Sequence, residues 1–487
     1  MTPSSPAPAT IVLDIGKTNV KLALIDADGH TLAERRSPNA VVPDGLYPHH
    51  DTERIWSWML DAMRGFAQLA HVGAIVPVTH GATAALVDEE GLVLPVLDYE
   101  DELPPSQDAA YRALRPPYSS SYSPLLPAGL NLGRQLAWQA HAYPGQFGRA
   151  RHILMYPQYW AWRLSGVAAS EVTSLGCHTD LWQPARQQYS SMVERMGWSA
   201  LFPPLRPAWA PLGPLKPELA AQTGLPADCK VVCGIHDSNA SLLRHLQGAP
   251  RTVLSTGTWV IAAAIGMPLD GLREAGDMLA NSNALGEPVA CMRFMGGREF
   301  GELAGAEPVQ CSADDLQRLI ARQTMALPCF ASAGGPFGGR AGSVAGPAPQ
   351  TAKERYALAT LYCVLMSDYC LTALGACQGE IVVEGSYTGN PYFAPLLAAL
   401  RPGQAVLSSD DASGTTCGAW MLAHWPATGG AAIGRATGGA PADAAAVADA
   451  ADAADAATAA GGTAARGTAP LALPGWAAYR ERWLAAL

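Results

Sequence analysis

Two stretches of the chain share one form and stand about half a chain apart. The first, "TIVLDIGKTNVKLALIDADGHTLAERR", has an apolar run from Ile11 to Ile15 and a Gly/Thr/Asn turn. Alternation at Val20, Leu22 and Leu24, the turn "DADG" and the stretch Thr31 to Arg35 follow. This pattern predicts three consecutive antiparallel strands. The second, "RTVLSTGTWVIAAAIG", is again an apolar strand, a small-residue turn with Gly and Thr, and a returning strand. The two are not a sequence repeat. One device used twice points to two similar domains, and 487 residues exceed what one ordinary core organises.

The remaining segments fill in an α/β pattern. Ile55, Trp58, Met59, Met63, Phe66 and Leu69 recur at helical spacing over residues 52–70. "VGAIVPVTHGA" reads as a buried strand running into a loop, residues 103–125 as a long ordered loop rich in Pro, Tyr and Ser, and residues 153–165 as a buried helix. "KVVCGIHDSNASLLRHL" gives strand, polar turn and helix. Later come a helical pattern over 352–378, a strand into a Gly/Asn turn in "IVVEGSYTGN", and a helix opening at "GTTCGAWMLAHW". The closing helix is amphipathic, with Trp476, Tyr479 and Trp483 on one side. The expected division is 1–246 and 247–487, with an Ala/Gly/Asp/Thr-rich insertion at about 427–468 that reads as flexible or loosely helical.

Composition narrows the function classes. Hydrophobic residues make up 49% and charged residues 15%, as in a soluble globular protein with large buried sheets. A net charge of −10 argues against a nucleic-acid or anionic-membrane partner. No run of about 18 apolar residues predicts a membrane span, and "MTPSSPAPAT" lacks the basic start and apolar core of a signal peptide, so a cytoplasmic protein is expected. Ten cysteines without a CxxC pair read as reduced, mostly buried thiols. Cys229 and Cys233 sit four apart with no second Cys/His pair, and are expected in the core rather than on zinc.

The chemistry-bearing residues cluster at turns. Gly16-Lys17-Thr18 resembles the end of a Walker A loop, but the first glycine of that motif would fall on Ile11, and a strand rather than a helix follows. What remains is a hairpin whose turn offers backbone N–H groups, the Thr18 hydroxyl and a lysine to phosphate oxygens, or an ordinary tight turn with a capping Asp. Asp14, at the end of a buried strand, needs a cation to meet phosphate, most simply a hydrated Mg²⁺. "STGT", Ser255 to Thr258, is the second such turn; the pair would grip a triphosphate across a cleft. Asp237 follows a strand at or near a helix N-terminus, where a carboxylate is favoured and could accept a proton from an attacking alcohol; it also reads as an N-cap. His80, at a strand end before Gly81, and the polar pair Asp98 and Glu100 suit a sugar pocket, whereas Asp101 and Glu102 read as solvated loop residues.

In these residues the whole chain resembles the FGGY carbohydrate kinases. That resemblance implies two similar actin/hexokinase-like (ribonuclease H-like) α/β domains with a cleft between them. "DIGKTNVKLAL" is similar to the first phosphate motif, which places Asp14 on the Mg²⁺-linked aspartate (through water), Gly16 and Thr18 on the nucleotide turn, and Lys21 on the basic residue. Lys17 and Asn19 stand in place of the usual Thr and Ser of that turn. "THGATAALVDEEGLVLPVLDYED" resembles a xylulokinase-type stretch, with His80 on the sugar-binding histidine and Glu100 on its aspartate, and Asp98 replacing a Trp. "EVTSLGCHTDLW" resembles a rhamnulokinase segment and puts Glu171 and Thr173 on the substrate side. "GIHDSNASL" carries the catalytic base onto Asp237. "STGT" places Thr256 and Gly257, "FMGGREF" places Gly296 and Gly297, and "VVEGSYTGN" places Gly385 and Asn390 at the nucleotide, with Ser386 replacing the second glycine of an adenosine motif. "DDASGTTCGAWMLA" is similar to the family's terminal helix.

The resemblance implies an ATP-dependent, Mg²⁺-assisted kinase acting on a small-molecule sugar, with Asp237 taking the hydroxyl proton, in a homodimer as such kinases often are. Glycerol-type members use an Arg-Glu pair where this chain has His80-Gly81, which points to a ketose. The Glu171 segment leans toward 6-deoxyketohexoses such as L-rhamnulose or L-fuculose, and the His80 segment toward pentuloses such as xylulose or ribulose. A polyol kinase and a non-catalytic actin-like ATP or sugar sensor are the rival readings.

Overall fold

A computed structural model describes residues 7–248, 250–307, 309–331, 334–409, 414–428 and 465–487. Two compact units emerge: Met1–Gln247 with Ala280–Glu287 and Ser413–Gly462, and Gly248–Leu279 with Pro288–Ala412 and Thr463–Leu487.

The first unit is organised by a sheet whose central strands are buried on both faces. Its strands are β1 (Ala9–Ile15), β2 (Asn19–Ile25), β3 (Thr31–Pro38), β4 (Val72–Thr79), β5 (Pro211–Pro214), β6 (Lys230–Val232) and β7 (Ile235–His236). They run in the order β5-β6-β4-β1-β2-β3, with β7 also paired to β4. The meander β1–β2–β3 is antiparallel, whereas β4 is parallel to β1, β6 and β7. Successive side chains of a strand point to opposite faces. Ile11, Leu13 and Ile15 therefore pack in one cluster with Met59, Met63 and Phe66 of the helix Thr52–Phe66 and Trp160 of the helix Tyr156–Ser165. Val12 faces a second cluster with Ile235, Ala240, Trp420, Leu422 and Trp425. Burial of both faces is why β1 reads as an unbroken apolar run.

That second cluster explains where the chain departs from the expected 246/247 division. The helix Gly414–Thr428 buries Cys417, Trp420, Leu422 and Trp425 against the first sheet, and the Trp420 indole donates to the Asp26 carbonyl at 2.9 Å. The segments 280–287 and 414–428 thus belong to the first unit although they follow residue 247. Most of the insertion expected at about 427–468 lies outside the described residues. The stretch 103–125, expected to be loop, contains the short helices Pro105–Gln107, Asp108–Leu114 and Tyr118–Ser121. Of the expected helix over 153–165, the first residues form the strand His152–Met155, and Pro157 sits in the first turn of the helix that follows.

The second unit repeats the same plan. Its strands β8 (Arg251–Thr256), β9 (Val260–Ile265) and β10 (Pro288–Phe294) form an antiparallel meander. β11 (Glu380–Gly385) joins β8 in parallel, β12 (Val406–Ser409) joins β11 in parallel, and β13 (Arg466–Gly467) closes the outer edge antiparallel. The order β10-β9-β8-β11-β12 matches β3-β2-β1-β4-β6, and the second sheet has one more strand, Met278–Ser282, paired beyond β10. The two α/β domains expected from the paired hairpins are present as two sheets of one topology. Among the described residues, one helix, Ala352–Ala373, is long and apolar enough to cross a membrane, and it is mostly buried in this unit's interior. The closing helix Trp476–Ala485 buries Trp476, Tyr479 and Trp483 on one side, as its pattern requires. All ten cysteines are free thiols and nine are buried, Cys229 and Cys233 fully so.

One glycine fixes how the helix Gly414–Thr428 approaches the first unit. A Cβ at Gly418 would lie 1.8 Å from the Ala240 carbonyl oxygen in the neighbouring helix Asp237–Leu242. In an open helix Gly→Ala raises stability by up to about 1 kcal/mol; here the collision reverses the sign. Gly418→Ala is expected to lower stability by about 1–3 kcal/mol, read as a lower urea midpoint. A higher midpoint would show that this close approach does not exist.

Candidate active site

β1, β4 and β7 end side by side in the first unit: Ile15 pairs with Thr79, and Thr79 with His236. Strand interiors buried on both faces carry apolar side chains, so the polar residues appear at these carboxyl ends: Asp14 on β1, His80 after β4 and Asp237 after β7. This is the edge at which open parallel sheets bind ligands.

Asp237 opens the helix Asp237–Leu242, and its side chain keeps 31% of its surface accessible. Its Oδ1 accepts from the Ser238 amide (2.6 Å) and the Ser238 hydroxyl (3.2 Å), and lies 3.2 Å from His236 Nε2. Burial holds the His236 ring neutral, with its affinity for a second proton pushed down to about 4. Its Nδ1 faces the Asn239 amide (3.4 Å), which leaves the ring proton on Nε2, aimed at Asp237. All these bonds go to Oδ1, so Oδ2 keeps its lone pairs. Burial raises the Asp237 carboxyl above the usual carboxylate range, against the opposing pull of the His80 ring and the Ser238 donors. The Gly81 Cα stands so close to His236 that a Cβ would lie 2.7 Å from Nε2, so Gly81 is required by the imidazole that orients Asp237.

His80 is buried, and its amide donates to the Ile15 carbonyl at 3.0 Å. Its Nδ1 faces the Gly81 carbonyl at 3.0 Å, which puts the proton on that nitrogen, and Nε2 is left buried without a hydrogen bond. Burial pushes its pKa down to about 4, so the ring is a neutral acceptor at pH 7. The rings of His50, Tyr99 and Tyr156 surround it at 5.1, 5.4 and 5.2 Å.

Asp14 pairs across the hairpin with Lys21 (3.2 Å), and Lys21 donates to the Thr416 hydroxyl (2.7 Å). Burial raises the Asp14 carboxyl; Lys21 pulls it down and the negative charge of Asp237 pushes it up. The turn itself is tied by Gly16 N–H to the Asn19 carbonyl (2.9 Å) and by Asn39, whose amide side chain donates to the Gly16 carbonyl (2.8 Å). Asn19 donates to the exposed Thr18 hydroxyl at 3.1 Å.

Glu171, Thr173 and Lys17 are each engaged by protein groups. Glu171 and Thr173 are wholly buried and support the chain ahead of Asp237 from behind. Glu171 caps the short helix Val172–Leu175 by accepting from the Thr173 amide (2.9 Å) and hydroxyl, and the Thr173 oxygen accepts from the His236 amide (3.0 Å). Glu171 Oε1 has no hydrogen-bond partner, and burial pushes its pKa up to about 8, so it is a neutral acid at pH 7. Lys17, expected at the nucleotide, is ion-paired with Asp98 and lies 3.4 Å from Glu100.

In the second unit the turn between β8 and β9 carries Thr256 and Gly257. Gly257 N–H donates to the Trp259 carbonyl at 2.9 Å, and the Thr256 hydroxyl donates to Glu384 O while accepting from the Tyr387 amide. A Cβ at Gly297 would lie 2.4 Å from the Gly257 carbonyl, and one at Gly385 (φ +88°) would lie 2.0 Å from the Thr256 carbonyl. Gly296 opens the helix Gly296–Ala304, and the Ser386 hydroxyl donates to the Thr256 carbonyl at 3.3 Å. At Gly297 and Gly385 the missing side chain lets backbone approach the Thr256–Gly257 turn closely. Asn390 stands behind it, bonded to the Thr360 hydroxyl (2.9 Å) and the Tyr392 amide (3.0 Å).

Sequence reasoning passed over His236, Tyr99, His50 and Tyr156. The adjacency of His236 to Asp237 was a usable signal; the other three come together only through the fold.

The family model "FGGY family of carbohydrate kinases, N-terminal domain" matches residues 9–243, and "Carbohydrate kinase FGGY, C-terminal domain" matches 248–431. L-fuculokinase of Escherichia coli (strain K12) is 27% identical over 265 residues, 52% of this chain and 55% of that protein, so the chain spans about half the length of the curated relatives it matches. A solved carbohydrate kinase from Novosphingobium aromaticivorans is 36% identical with a TM-score of 0.84, covering 99% of this chain and 98% of the other. A ligand-bound xylulose kinase from Lactobacillus acidophilus shares the fold at 15% identity and a TM-score of 0.76, over 98% and 96% of the two chains. Two domain models matched in chain order, and a 36% identical carbohydrate kinase aligned along nearly its whole length, show that the chain belongs to the FGGY family of carbohydrate kinases.

Proposed function

We propose that the protein transfers the γ-phosphoryl group of ATP to a hydroxyl of a ketose, a 6-deoxyketohexose such as L-fuculose or L-rhamnulose. The observation that carries the reading is Asp237: Oδ1 is held by Ser238 and faced by His236, while Oδ2 is open on a side chain that solvent reaches. In the step proposed, the sugar O–H proton passes to Asp237 Oδ2 as the oxygen bonds to the γ-phosphorus. The bond from that phosphorus to the β-bridging oxygen breaks, and ADP leaves with the electron pair. A carboxylate with a raised pKa is the better base for this at neutral pH. His80 Nε2, a buried acceptor with no partner, fits a second sugar hydroxyl. The L-fuculokinase relative supports the 6-deoxyhexulose choice over a pentulose.

The residues present fit a divalent cation. Asp14 is a half-buried carboxylate whose ionisation Asp237 opposes, and a cation held through water at Asp14 would relieve that repulsion. Mg²⁺ would neutralise charge on the phosphate oxygens. The protein's own part is to position: Lys21 holds Asp14, and the Gly16–Asn19 turn sets the backbone beside it.

Asp237→Asn keeps the shape and removes the base. It is expected to fold and bind ATP as the wild type does while turnover falls roughly 10²- to 10⁴-fold; turnover near wild type would remove Asp237 from the step.

Glu171 gives a pH signature. Its carboxyl holds a proton up to about pH 8 in the folded protein but releases it near 4.5 in the unfolded chain. Between those values the folded state binds the extra proton, so stability falls as pH rises. Glu171→Gln lacks this titration. The melting temperature of the wild type relative to the variant should therefore decline from pH 5 to 8 and level off above; parallel curves would show that Glu171 ionises normally.

A further inference from the structure

Lys17 projects from the β1–β2 turn, but its ammonium is not turned to the turn's own backbone. It is ion-paired with Asp98, lies 3.4 Å from Glu100, and sits 5.1 Å from the centre of the Tyr99 ring. The His80 ring lies 5.4 Å from the same ring. Asp98 is nearly buried and held on every side: its amide donates to the Pro48 carbonyl (3.0 Å), and its Oδ1 accepts from both Lys17 and the Glu100 amide (3.2 Å). The lysine thus fixes a three-residue loop whose middle side chain packs on the histidine with the unpartnered acceptor nitrogen.

The two ends of this contact are 81 residues apart in the chain. Without Asp98 the Lys17 ammonium is left with Glu100, 3.4 Å away on an exposed side chain, and without Lys17 the buried Asp98 carboxylate is left with the Glu100 amide on Oδ1. The ion pair ties the two positions together. The local charge also matters: two carboxylates face one ammonium, so the loop keeps an excess negative charge that repels an anionic acceptor and leaves carboxylate oxygens to accept from sugar hydroxyls.

We propose that Lys17 is a specificity-determining residue of the acceptor side, clamping the Asp98–Glu100 loop so that the site takes a neutral polyhydroxy sugar and rejects a sugar acid. This rests on the kinase reading given above. Lys17 acts through Asp98 and Glu100 rather than through the nucleotide.

The test uses the full chain with Lys17→Thr, Asp98→Asn, the double variant and Lys17→Arg. Each of the first two is expected to raise KM for the accepted ketose about tenfold, with KM for ATP within about twofold of wild type. The double variant should be no worse than either single one, and Lys17→Arg, which preserves the ion pair, should recover most of the loss. A rise in KM for ATP at constant sugar KM, additive effects in the double variant, or a wild type that phosphorylates a sugar acid such as an aldonate better than any neutral sugar would each overturn the proposal. Hydrogen exchange at the Glu100 amide reads the clamp without turnover: Lys17→Thr should speed it about tenfold, and unchanged exchange overturns the clamp. If no acceptor stimulates ADP release from the wild type, the kinase reading fails, and the exchange result still decides whether Lys17 holds the loop.

Discussion

The constraint on which this site depends is the burial of β1 on both faces. A strand sandwiched between the helix Thr52–Phe66 on one side and the helix Gly414–Thr428 on the other is apolar from Ile11 to Leu13. Polar chemistry is forced to the carboxyl end, where β1, β4 and β7 stop in register. Asp14, His80 and Asp237 come from positions far apart in the chain and meet because three parallel strands end together. The close contacts at Gly81 and Gly418 follow from the same tight layering.

Neutrality is the second theme of the first unit's site. His80, His236 and Glu171 are all held uncharged at pH 7 by burial. What remains ionised is placed with a partner: Asp14 with Lys21, and Asp98 and Glu100 with Lys17. Asp237 is the exception. Its partners are hydrogen-bond donors on one oxygen only, and this imbalance is what makes it suited to accept a proton.

Much of this was legible in the sequence wherever a local pattern carries the information. The paired hairpins pointed to two similar domains, and "GIHDSNAS" placed Asp237 at or near the start of a helix after a strand. The rest depends on contacts across long stretches of chain. Nothing near Lys17 announces that its partner is Asp98, and nothing near Glu171 announces that it is buried beside Thr173, which accepts from the His236 amide. The helix Gly414–Thr428 follows the second unit's strands in sequence, and only its apolar match to Val12, Ile235 and Ala240 returns it to the first unit. The short helices between residues 105 and 121 were hidden by prolines, which local reading takes as breakers although Pro105 serves as a helix start.

The most direct test of the central claim is acceptor-stimulated ADP release by the wild-type protein, with ATP and Mg²⁺, over a panel of ketoses, polyols and aldonates. A ketose that raises ADP release far above the rate without acceptor, with phosphate recovered on the sugar, is the result the account predicts. ATP binding with no acceptor stimulating release would contradict it and favour a sensor that binds nucleotide without transferring phosphate.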